Sequence, residues 1–443
     1  MISFKRIAFL LRHPPVVLAM GFLVLIIGGA ILLKLPGFTT KPLGFLQAMF
    51  MTTSSVTVTG LAVADLSDFT LYGQLVMLFL METGGLGFMT FTVLAIMALQ
   101  RRIGMHGQLI VSQAMGGVKL SEINEIAKKI IFLALIVQSI GWFLLCVLWA
   151  GDFGWKESAY SAFFYTISAF NNAGFALTGD NLMVYSHQTT VLFIFTLLIM
   201  IGGLGFFVVT DFAKKPLGQE LSVNTKVIII ATLGLNLIAA TIFWLLEHKN
   251  LHTIGTMPLS EQVMNSWFAA VTPRTAGFNT IPTDQYTDAS TFLTLVLMFI
   301  GAGSFSTGGG IKLGTMVVLL LTTWSFIQQR DSVTVMRRKI AEKQVKKAIA
   351  VVIVTALMIA LSIFILLAIE AHHEFIDVLF EVVSAISTVG LSRGITSVLT
   401  PMGEVVIMFM MFAGRVGPLT IGYLIALPKT TKIEYPEARI DVG

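Results

Sequence analysis

The sequence predicts an all-α membrane protein made of four units, each with a membrane span, a half-helix too short to cross the bilayer, and a second span. Composition is the first reason: 56% of the 443 residues are apolar and only 12% are charged, against about 25% charged residues in soluble domains. An internal repeat is the second: four short segments of small and polar residues, each ending in Gly followed by Leu or Phe, recur at near-regular intervals. Such a long repeat favours a pseudo-fourfold arrangement of the four units around one central pore.

These repeats, filter segments one to four, read Ser-Ser-Val-Thr-Val-Thr-Gly-Leu at 54–61, Ser-Ala-Phe-Asn-Asn-Ala-Gly-Phe at 168–175, Thr-Pro-Arg-Thr-Ala-Gly-Phe at 272–278 and Ser-Ala-Ile-Ser-Thr-Val-Gly-Leu at 384–391. They divide the chain into pore unit one at 1–100, unit two at 101–212, unit three at 213–330 and unit four at 331–427. A polar tail at 428–443 follows and is expected in the cytoplasm.

The first half-helix is predicted before filter segment one. Residues 42–55 are apolar and helix-compatible; Pro36-Gly37 separates them from the first span, and Pro42 suits a first helical turn. A helix of this length extends about 21 Å, and the hydrocarbon core of a bilayer is about 30 Å thick. The segment is therefore expected to enter and leave on one side, as are residues 157–170, 258–272 and 373–386.

The spans themselves are predicted near 14–34, 72–98, 129–150, 188–210, 226–247, 290–327, 348–370 and 402–427. The first apolar run, from Pro14 to Leu33, is too long for the core of a signal peptide, so it is expected to be retained as a span. Units one and two share the pentapeptide Gly-Gly-Leu-Gly-Phe in their second spans, at 84–88 and 202–206.

Unit three departs from this plan in its second span. Residues 301–314 contain six glycines in 14 positions, and each glycine costs a helix about 1 kcal/mol relative to alanine. Unwound backbone at membrane depth is tolerated only where protein buries it or where it lines a water-filled cavity. We predict that this glycine-rich loop (301–314) crosses the pore below the filter; it lacks the Gly-Lys-Ser/Thr ending of a phosphate-binding loop.

The charge pattern indicates topology. Of the 29 Lys and Arg residues, 21 lie on the side of the N-terminus and five on the opposite side, which by the positive-inside rule places both termini of a multi-pass cell-membrane protein in the cytoplasm. The net charge of +5 is therefore a topology signal, and no nucleic-acid binding is predicted. The opposite side is acidic; its carboxylates either concentrate cations at a pore mouth or only solvate the outer loops.

The filter segments have the composition of a cation filter lined by backbone carbonyls. Glycine permits backbone conformations that a side chain disfavours, and each half-helix would aim its negative C-terminal end at the ion. Small-residue runs also serve helix packing, but four in register, each after a short helix, favour a pore lining. The predicted filter residues are Thr57, Val58, Thr59, Gly60, Asn172, Ala173, Gly174, Thr275, Ala276, Gly277, Thr388, Val389 and Gly390.

Three cationic side chains fall in membrane-embedded stretches, where charges are usually functional or paired. Arg415 is predicted either to stand near the ion path, where it sets an electrostatic barrier or holds the loop 303–312, or to form a structural salt bridge, with Glu82 as a candidate partner. Lys312 either reaches the cytoplasmic face or seats the loop. Arg274 would repel cations at the axis, so it is expected to pair behind the filter with Glu381 or a loop carboxylate. The residues singled out in and beside this loop are Gly303, Ser304, Phe305, Ser306, Thr307, Gly308, Gly309, Gly310, Lys312 and Arg415.

The sequence offers no Ser/His/Asp or Cys/His constellation, and its histidines show no metal spacing, so no enzymatic activity is predicted. Cys146 is the single cysteine and can form no disulfide within the chain.

The filter sequences Thr-Val-Thr-Gly-Leu, Asn-Asn-Ala-Gly-Phe, Arg-Thr-Ala-Gly-Phe and Ser-Thr-Val-Gly-Leu, with the break at 303–314 and Arg415, resemble those of the Trk/Ktr/HKT superfamily of potassium transporters. The resemblance covers nearly the whole chain, and the compact length is most similar to the membrane subunits of Ktr systems. It implies potassium uptake, potassium bound at Gly60, Gly174, Gly277 and Gly390, and a gate made by residues 303–314 with Arg415.

The same resemblance implies a homodimer in membrane lipid on a cytoplasmic ring of nucleotide-binding, KtrA-like regulatory subunits, and often stimulation by Na⁺. No organic cofactor is expected in this chain, which contains no nucleotide-binding fingerprint. Gly60 favours potassium, because plant relatives with Ser at the matching position transport sodium. The basic stretch 337–347 and the tail are docking surfaces or solvated topology signals. A pore for sodium or ammonium, and a receptor that binds an ion without passing it, are the alternatives.

Overall fold

The computed structural model describes residues 14–100, 123–214 and 220–417, and these residues are predominantly helical. In chain order the helices are α1 (Pro14–Leu33), α2 (Phe45–Thr57), α3 (Leu71–Gln100), α4 (Ile123–Phe153), α5 (Trp155–Phe170), α6 (Thr189–Leu204), α7 (Phe206–Lys214), α8 (Val223–Glu247), α9 (Leu259–Val271), α10 (Asp288–Phe299), α11 (Leu313–Ile327), α12 (Glu342–Ile369), α13 (Phe375–Ser387) and α14 (Pro401–Val416). The predicted tail at 428–443 and the basic residues before Pro14 lie outside the described residues.

Four short helices stand where the sequence predicts half-helices. Helices α2, α9 and α13 have 13 residues each and α5 has 16, so each extends only about 20–24 Å. Their N-terminal ends are exposed and their C-terminal ends are buried: in α2, for example, Phe45 is 55% exposed and Ser54 is 0% exposed. Each short helix therefore runs from the surface into the interior and stops there.

Longer helices flank the short ones. Residues Lys128–Phe153, Val223–Glu247 and Glu342–Ile369 are each long and apolar enough to cross a membrane. Their outward side chains remain apolar, as Phe364 at 74% exposure shows in α12, which is the pattern of a lipid-facing surface. Helices α1 and α3, with 20 and 30 residues, would extend about 30 and 45 Å.

The helices of neighbouring units pack in a closed order. The second span of unit one (α3) contacts the half-helix of unit two (α5), α6 of unit two contacts α9 of unit three, and α10 of unit three contacts α13 of unit four. Finally α14 of unit four contacts α2 of unit one. All four half-helices are thereby held against both their own unit and the preceding one.

Two features differ from the sequence prediction. The predicted span 188–210 is not one helix, because α6 ends at Leu204 and α7 leaves it at an angle of 101°. At the start of the basic stretch, a short hairpin forms: Thr334–Val335 (β1) pairs antiparallel with Arg338–Lys339 (β2). Its turn residues Met336 and Arg337 have φ of 46° and 64°. A turn of this geometry is usually signalled by Asn-Gly, which is absent here, so the hairpin was not predicted.

Candidate functional site

The four filter segments meet in the buried centre of the protein, at the C-terminal ends of the half-helices. Thr59, Ala173, Ala276 and Val389, the residues that precede the four repeated glycines, are all 0% exposed. Each segment is tied back to its own half-helix by a backbone hydrogen bond, such as Thr59 N to Ser54 O at 2.8 Å and Val389 N to Ser384 O at 2.9 Å. The segments are thus short, rigid loops that continue the half-helices.

Their backbones share one conformation. The residue two positions before each glycine has positive φ: 56° at Val58, 59° at Asn172, 75° at Thr275 and 49° at Thr388. The glycines themselves have φ of 99°, 69°, 73° and 93°, and the residues between have negative φ. Alternation of this kind turns successive carbonyls toward one side. Positive φ costs a β-branched residue of order 1–3 kcal/mol, so the surrounding packing must impose it.

The four glycines contact one another in cyclic order and are called the glycine ring (Gly60, Gly174, Gly277 and Gly390). A methyl group at Gly60 would lie 2.6 Å from Ala173 O, and one at Gly174 would lie 2.9 Å from Ala276 O. One at Gly277 would lie 2.2 Å from Val389 O, and one at Gly390 would lie 2.1 Å from Thr59 O, which closes the circle. The carbonyl before each glycine therefore faces the glycine of the preceding segment.

A hydroxyl group stabilises each segment, and sequence reasoning did not include these side chains among the site residues. Ser54 and Ser384 accept hydrogen bonds from the N–H groups of Gly60 and Gly390, at 3.0 and 3.1 Å. Ser168 donates to Phe175 O at 2.8 Å, and Thr272 donates to Phe278 O at 2.5 Å. Their recurrence at the start of every filter segment was the signal that could have identified them.

The glycine-rich loop lies directly against the glycine ring's segments. A methyl group at Gly308 would lie 2.0 Å from Thr275 Oγ1, and one at Gly309 would lie 2.1 Å from Thr388 Oγ1. Unit two contributes further contacts: Gly303 N donates to Gly203 O at 2.8 Å, and Thr307 Oγ1 donates to Phe170 O at 3.3 Å. Of the predicted gate residues, Ser306 to Gly309 are buried, whereas Ser304 is exposed.

Arg415 and Lys312 both bind backbone carbonyls of this region. Arg415, 4% exposed, donates from Nη1 to Thr307 O and from Nη2 to Gly84 O at 2.5 Å. Lys312 Nζ donates to Gly308 O at 2.5 Å and to Gly309 O at 3.2 Å. These contacts correspond to the loop-holding alternative for both residues. Glu82 instead accepts hydrogen bonds from Asn171 and Gln138.

Arg274 points away from the glycine ring, but the partners predicted for it were wrong. It donates from Nη1 to Asn236 Oδ1 at 3.2 Å and from Nη2 to Thr232 Oγ1 at 3.4 Å, both on α8. Glu381 accepts from Ser392 Oγ at 2.8 Å and from Thr396 Oγ1. The guanidinium is thus bound by side chains of α8, and the carboxylate of Glu381 is bound by side chains of the outer loop that follows filter segment four.

Among the described residues, no group of three or more His, Cys, Asp or Glu side chains could hold a metal ion. The oxygen atoms that face the glycine ring are backbone carbonyls, and such neutral oxygens are the ligands of carbonyl-lined cation filters. Fold and site together define a polytopic helical membrane protein built around a central cluster of backbone carbonyls.

Comparison with known proteins shows to which family the chain belongs. The family model TrkH, described as a cation transport protein, matches residues 4–216 and 221–435. The chain therefore belongs to the TrkH family of cation transport proteins, as the resemblance of its filter segments indicated.

Individual relatives are similar over almost their whole length. The chain is 39% identical over 431 residues to the Ktr system potassium uptake protein B of Bacillus subtilis, covering 97% of each chain. It is 37% identical to the protein of the same name from Vibrio alginolyticus, over 97% of this chain and 95% of that one. It is 33% identical to the potassium/sodium uptake protein NtpJ of Enterococcus hirae, over 97% of each.

A solved structure confirms the fold. The potassium transporter TrkH from Vibrio parahaemolyticus superposes with a TM-score of 0.75 at 18% identity, covering 94% of this chain and 85% of that one. At this identity the likeness concerns the path of the helices alone.

Proposed function

We propose that this chain is the potassium-selective, ion-translocating subunit of a bacterial potassium uptake system. The observation that carries the proposal is the cyclic contact of the four glycines, each facing the carbonyl of the next segment. The names of the similar proteins from Bacillus subtilis and Vibrio alginolyticus, both potassium uptake proteins, support the choice of ion.

Ion binding would use the carbonyl oxygens of the filter segments in place of water. The free energy that a potassium ion loses with its hydration shell must be compensated, and carbonyl dipoles compensate it without a fixed charge. The buried C-terminal ends of α2, α5, α9 and α13 add negative electrostatic potential at the same place. The four units with their pseudo-fourfold arrangement would thus enclose one pore.

The glycine-rich loop would gate this pore. It packs against Thr275 and Thr388, each two residues before a ring glycine, and so lies in the path of an ion leaving the filter. Arg415 holds the loop through Thr307 O and connects it to Gly84 of unit one. A movement that breaks these contacts would open the path without altering the ring.

Control would come from outside this chain. The resemblance implies a homodimer that sits on a cytoplasmic ring of KtrA-like, nucleotide-binding regulatory subunits. This chain carries no nucleotide-binding fingerprint, so any control by nucleotides would act through those partners. The exposed Arg338 and Lys339 of the hairpin offer a basic docking surface. Stimulation by Na⁺ is part of the proposal, and the name of the potassium/sodium uptake protein NtpJ supports it.

The proposal is tested by cation flux into liposomes that contain the purified chain, measured for K⁺, Rb⁺, Na⁺ and NH₄⁺ with and without a regulatory partner. We expect K⁺ and Rb⁺ to enter in preference to Na⁺. Gly277→Ser should abolish flux or change its selectivity, because a Cβ there would lie 2.2 Å from Val389 O.

The matched control is Gly234→Ser in α8, where a Cβ would meet nothing within 4 Å; its flux should equal that of the unaltered chain. Binding of K⁺ with no flux under any condition would favour the receptor alternative. Equal entry of Na⁺ or NH₄⁺ would favour the less selective pore.

A further inference from the structure

A small cavity lies behind filter segment three, on the side away from the glycine ring. Its volume is about 20 Å³. Residues of α6, α8, α9, filter segment three and the glycine-rich loop line it, and those used in the argument are Met200, Asn236 and Arg274. A cavity of this size holds one water-sized particle, because roughly 10–15 Å³ suffices for one water.

Two residues that line this cavity each have a hydrogen-bond donor without an acceptor. Arg274 is 7% exposed and Asn236 is 0% exposed, and within the described part of the chain neither Arg274 Nε nor Asn236 Nδ2 has a hydrogen-bond partner. The orientation of the Asn236 amide is fixed, because its Oδ1 accepts from Arg274 Nη1 at 3.2 Å. Both unsatisfied atoms are N–H donors on residues that line the cavity, and one of them belongs to a buried cation. An acceptor between them, preferably a negatively charged one, would satisfy both.

The equivalent place behind filter segment two shows such an acceptor. Asn171 stands three residues before Gly174, as Arg274 stands three before Gly277. Asn171 Nδ2 donates to Glu82 Oε2 at 2.6 Å, and Gln138 Nε2 of α4 donates to the same carboxylate at 3.1 Å.

Behind segment three this acceptor is missing, because the second span of unit two differs in sequence from the second span of unit one. Glu82 lies two residues before the pentapeptide at 84–88, and Met200 lies two residues before the identical pentapeptide at 202–206. Met200 lines the cavity beside Arg274. Behind segment two this position is occupied by the carboxylate of Glu82. Behind segment three it is occupied by the apolar side chain of Met200, and a cavity remains beside it.

We propose that the cavity binds a single monatomic anion of the halide class, chloride, which takes the place that the carboxylate of Glu82 has behind segment two. The anion accepts hydrogen bonds from Arg274 Nε and Asn236 Nδ2. A monatomic anion suits a cavity of about 20 Å³ that offers two N–H donors. Bound chloride neutralises a buried charge that lies three residues from a glycine of the ring.

Thermal unfolding of the detergent-solubilised protein tests binding without any measurement of transport. The protein is purified throughout in gluconate, and chloride is then titrated at constant ionic strength. We expect Tm to rise by a few degrees and to saturate, because a ligand that binds only the folded state stabilises it. A Tm that is the same in chloride and gluconate overturns the proposal.

Substitutions at Met200 supply the decisive pair of variants. Met200→Glu places the missing carboxylate in the cavity, so its Tm in gluconate should match that of the unaltered protein in chloride and should not respond to chloride. Met200→Leu keeps the position apolar and should retain the response. Arg274→Gln should lose it; if that variant does not fold, the Met200 pair still decides. A chloride response in Met200→Glu equal to that of Met200→Leu contradicts the site.

Bromide locates the ion directly. Crystals grown in bromide should show anomalous scattering in the cavity between Arg274 and Asn236, and crystals of Met200→Glu should show none there. Density without anomalous signal at this position would identify a water molecule and would overturn the proposal.

Discussion

The pentapeptide Gly-Gly-Leu-Gly-Phe occurs twice in this chain and folds in two ways. At 84–88 in unit one it lies inside α3, which continues unbroken from Leu71 to Gln100. At 202–206 in unit two the helix ends at Leu204, Gly205 adopts φ of 97°, and the chain turns by 101°. Identical residues at equivalent positions thus give a continuous helix in one unit and a broken one in the other.

The difference arises from the glycine-rich loop. Where the helix breaks, the loop replaces the lost backbone hydrogen bonds: Phe206 N donates to Phe305 O at 3.0 Å, and Gly202 O accepts from Thr307 N at 3.3 Å. Phe207 of α7 also packs edge-on against Phe305, with ring centroids 4.9 Å apart. The sequence permits the break, and the loop of another unit makes it favourable. Filter and loop are thereby coupled through unit two more closely than through unit one.

The largest effect is expected from removing the loop. Replacing residues 304–310 with a shorter linker would leave the pentapeptide at 202–206 without its loop partner and would clear the path below the ring. Flux without any regulatory partner should rise by at least about tenfold, the change that lowering a barrier by about 1.4 kcal/mol produces.

Liposome flux measures this, with the preference for K⁺ over Na⁺ as the control, since the ring is unaltered. An unchanged flux would remove the loop from the gating mechanism.

A smaller effect is expected from testing the two pentapeptides directly. Gly205→Ala forces a side chain into a left-handed conformation, which costs roughly 1–2 kcal/mol, and its Cβ would lie 2.4 Å from Ser304 O. Gly87→Ala at the matching position of unit one should instead stabilise α3 by up to about 1 kcal/mol, because that residue is helical.

For both variants, the midpoint of thermal unfolding (Tm) and the partner-free flux into liposomes are measured. Gly205→Ala should lower Tm and raise flux, and Gly87→Ala should do neither. The same response in both variants would show that the two copies are equivalent in solution.

The two copies also mark how far the sequence predicted this structure. The half-helices and the break at 301–314 were predictable, because helix length and glycine density are local properties. The bend at Gly205 was not, because it depends on hydrogen bonds from Phe305 and Thr307 of another unit. The positive φ of Thr275 and Thr388 opposes the local preference of β-branched residues. The partners of Arg274 were mistaken because neutral side chains of α8, Asn236 and Thr232, accept its hydrogen bonds.

Arg415 connects the loop to the unbroken pentapeptide, through Thr307 O on one side and Gly84 O on the other. Arg415→Gln removes the charge from both contacts. A hydrogen bond to a charged group contributes about 1.5–3 kcal/mol, so the loss of one of the two should raise partner-free flux by about tenfold or somewhat more, and no further than deletion of the loop does.

Arg415→Lys is the control for charge, since a single ammonium cannot reproduce the two divergent contacts of a guanidinium. It should give a flux between those of the unaltered chain and Arg415→Gln. A flux in Arg415→Lys equal to that of the unaltered chain would mean that charge alone, and not the bridge between the two carbonyls, holds the loop.

Thr307→Val is expected to have the smallest effect and isolates one contact between the loop and unit two. The substitution conserves side-chain volume and removes the hydrogen bond from Oγ1 to Phe170 O, which at 3.3 Å is long. A neutral hydrogen bond contributes about 0.5–1.5 kcal/mol, so partner-free flux should rise only about twofold. The backbone contacts of Thr307 to Gly202 and Arg415 remain, and they are the ones that maintain the break at Gly205. A tenfold rise in liposome flux would show that this hydroxyl, rather than the loop backbone, couples unit two to the gate.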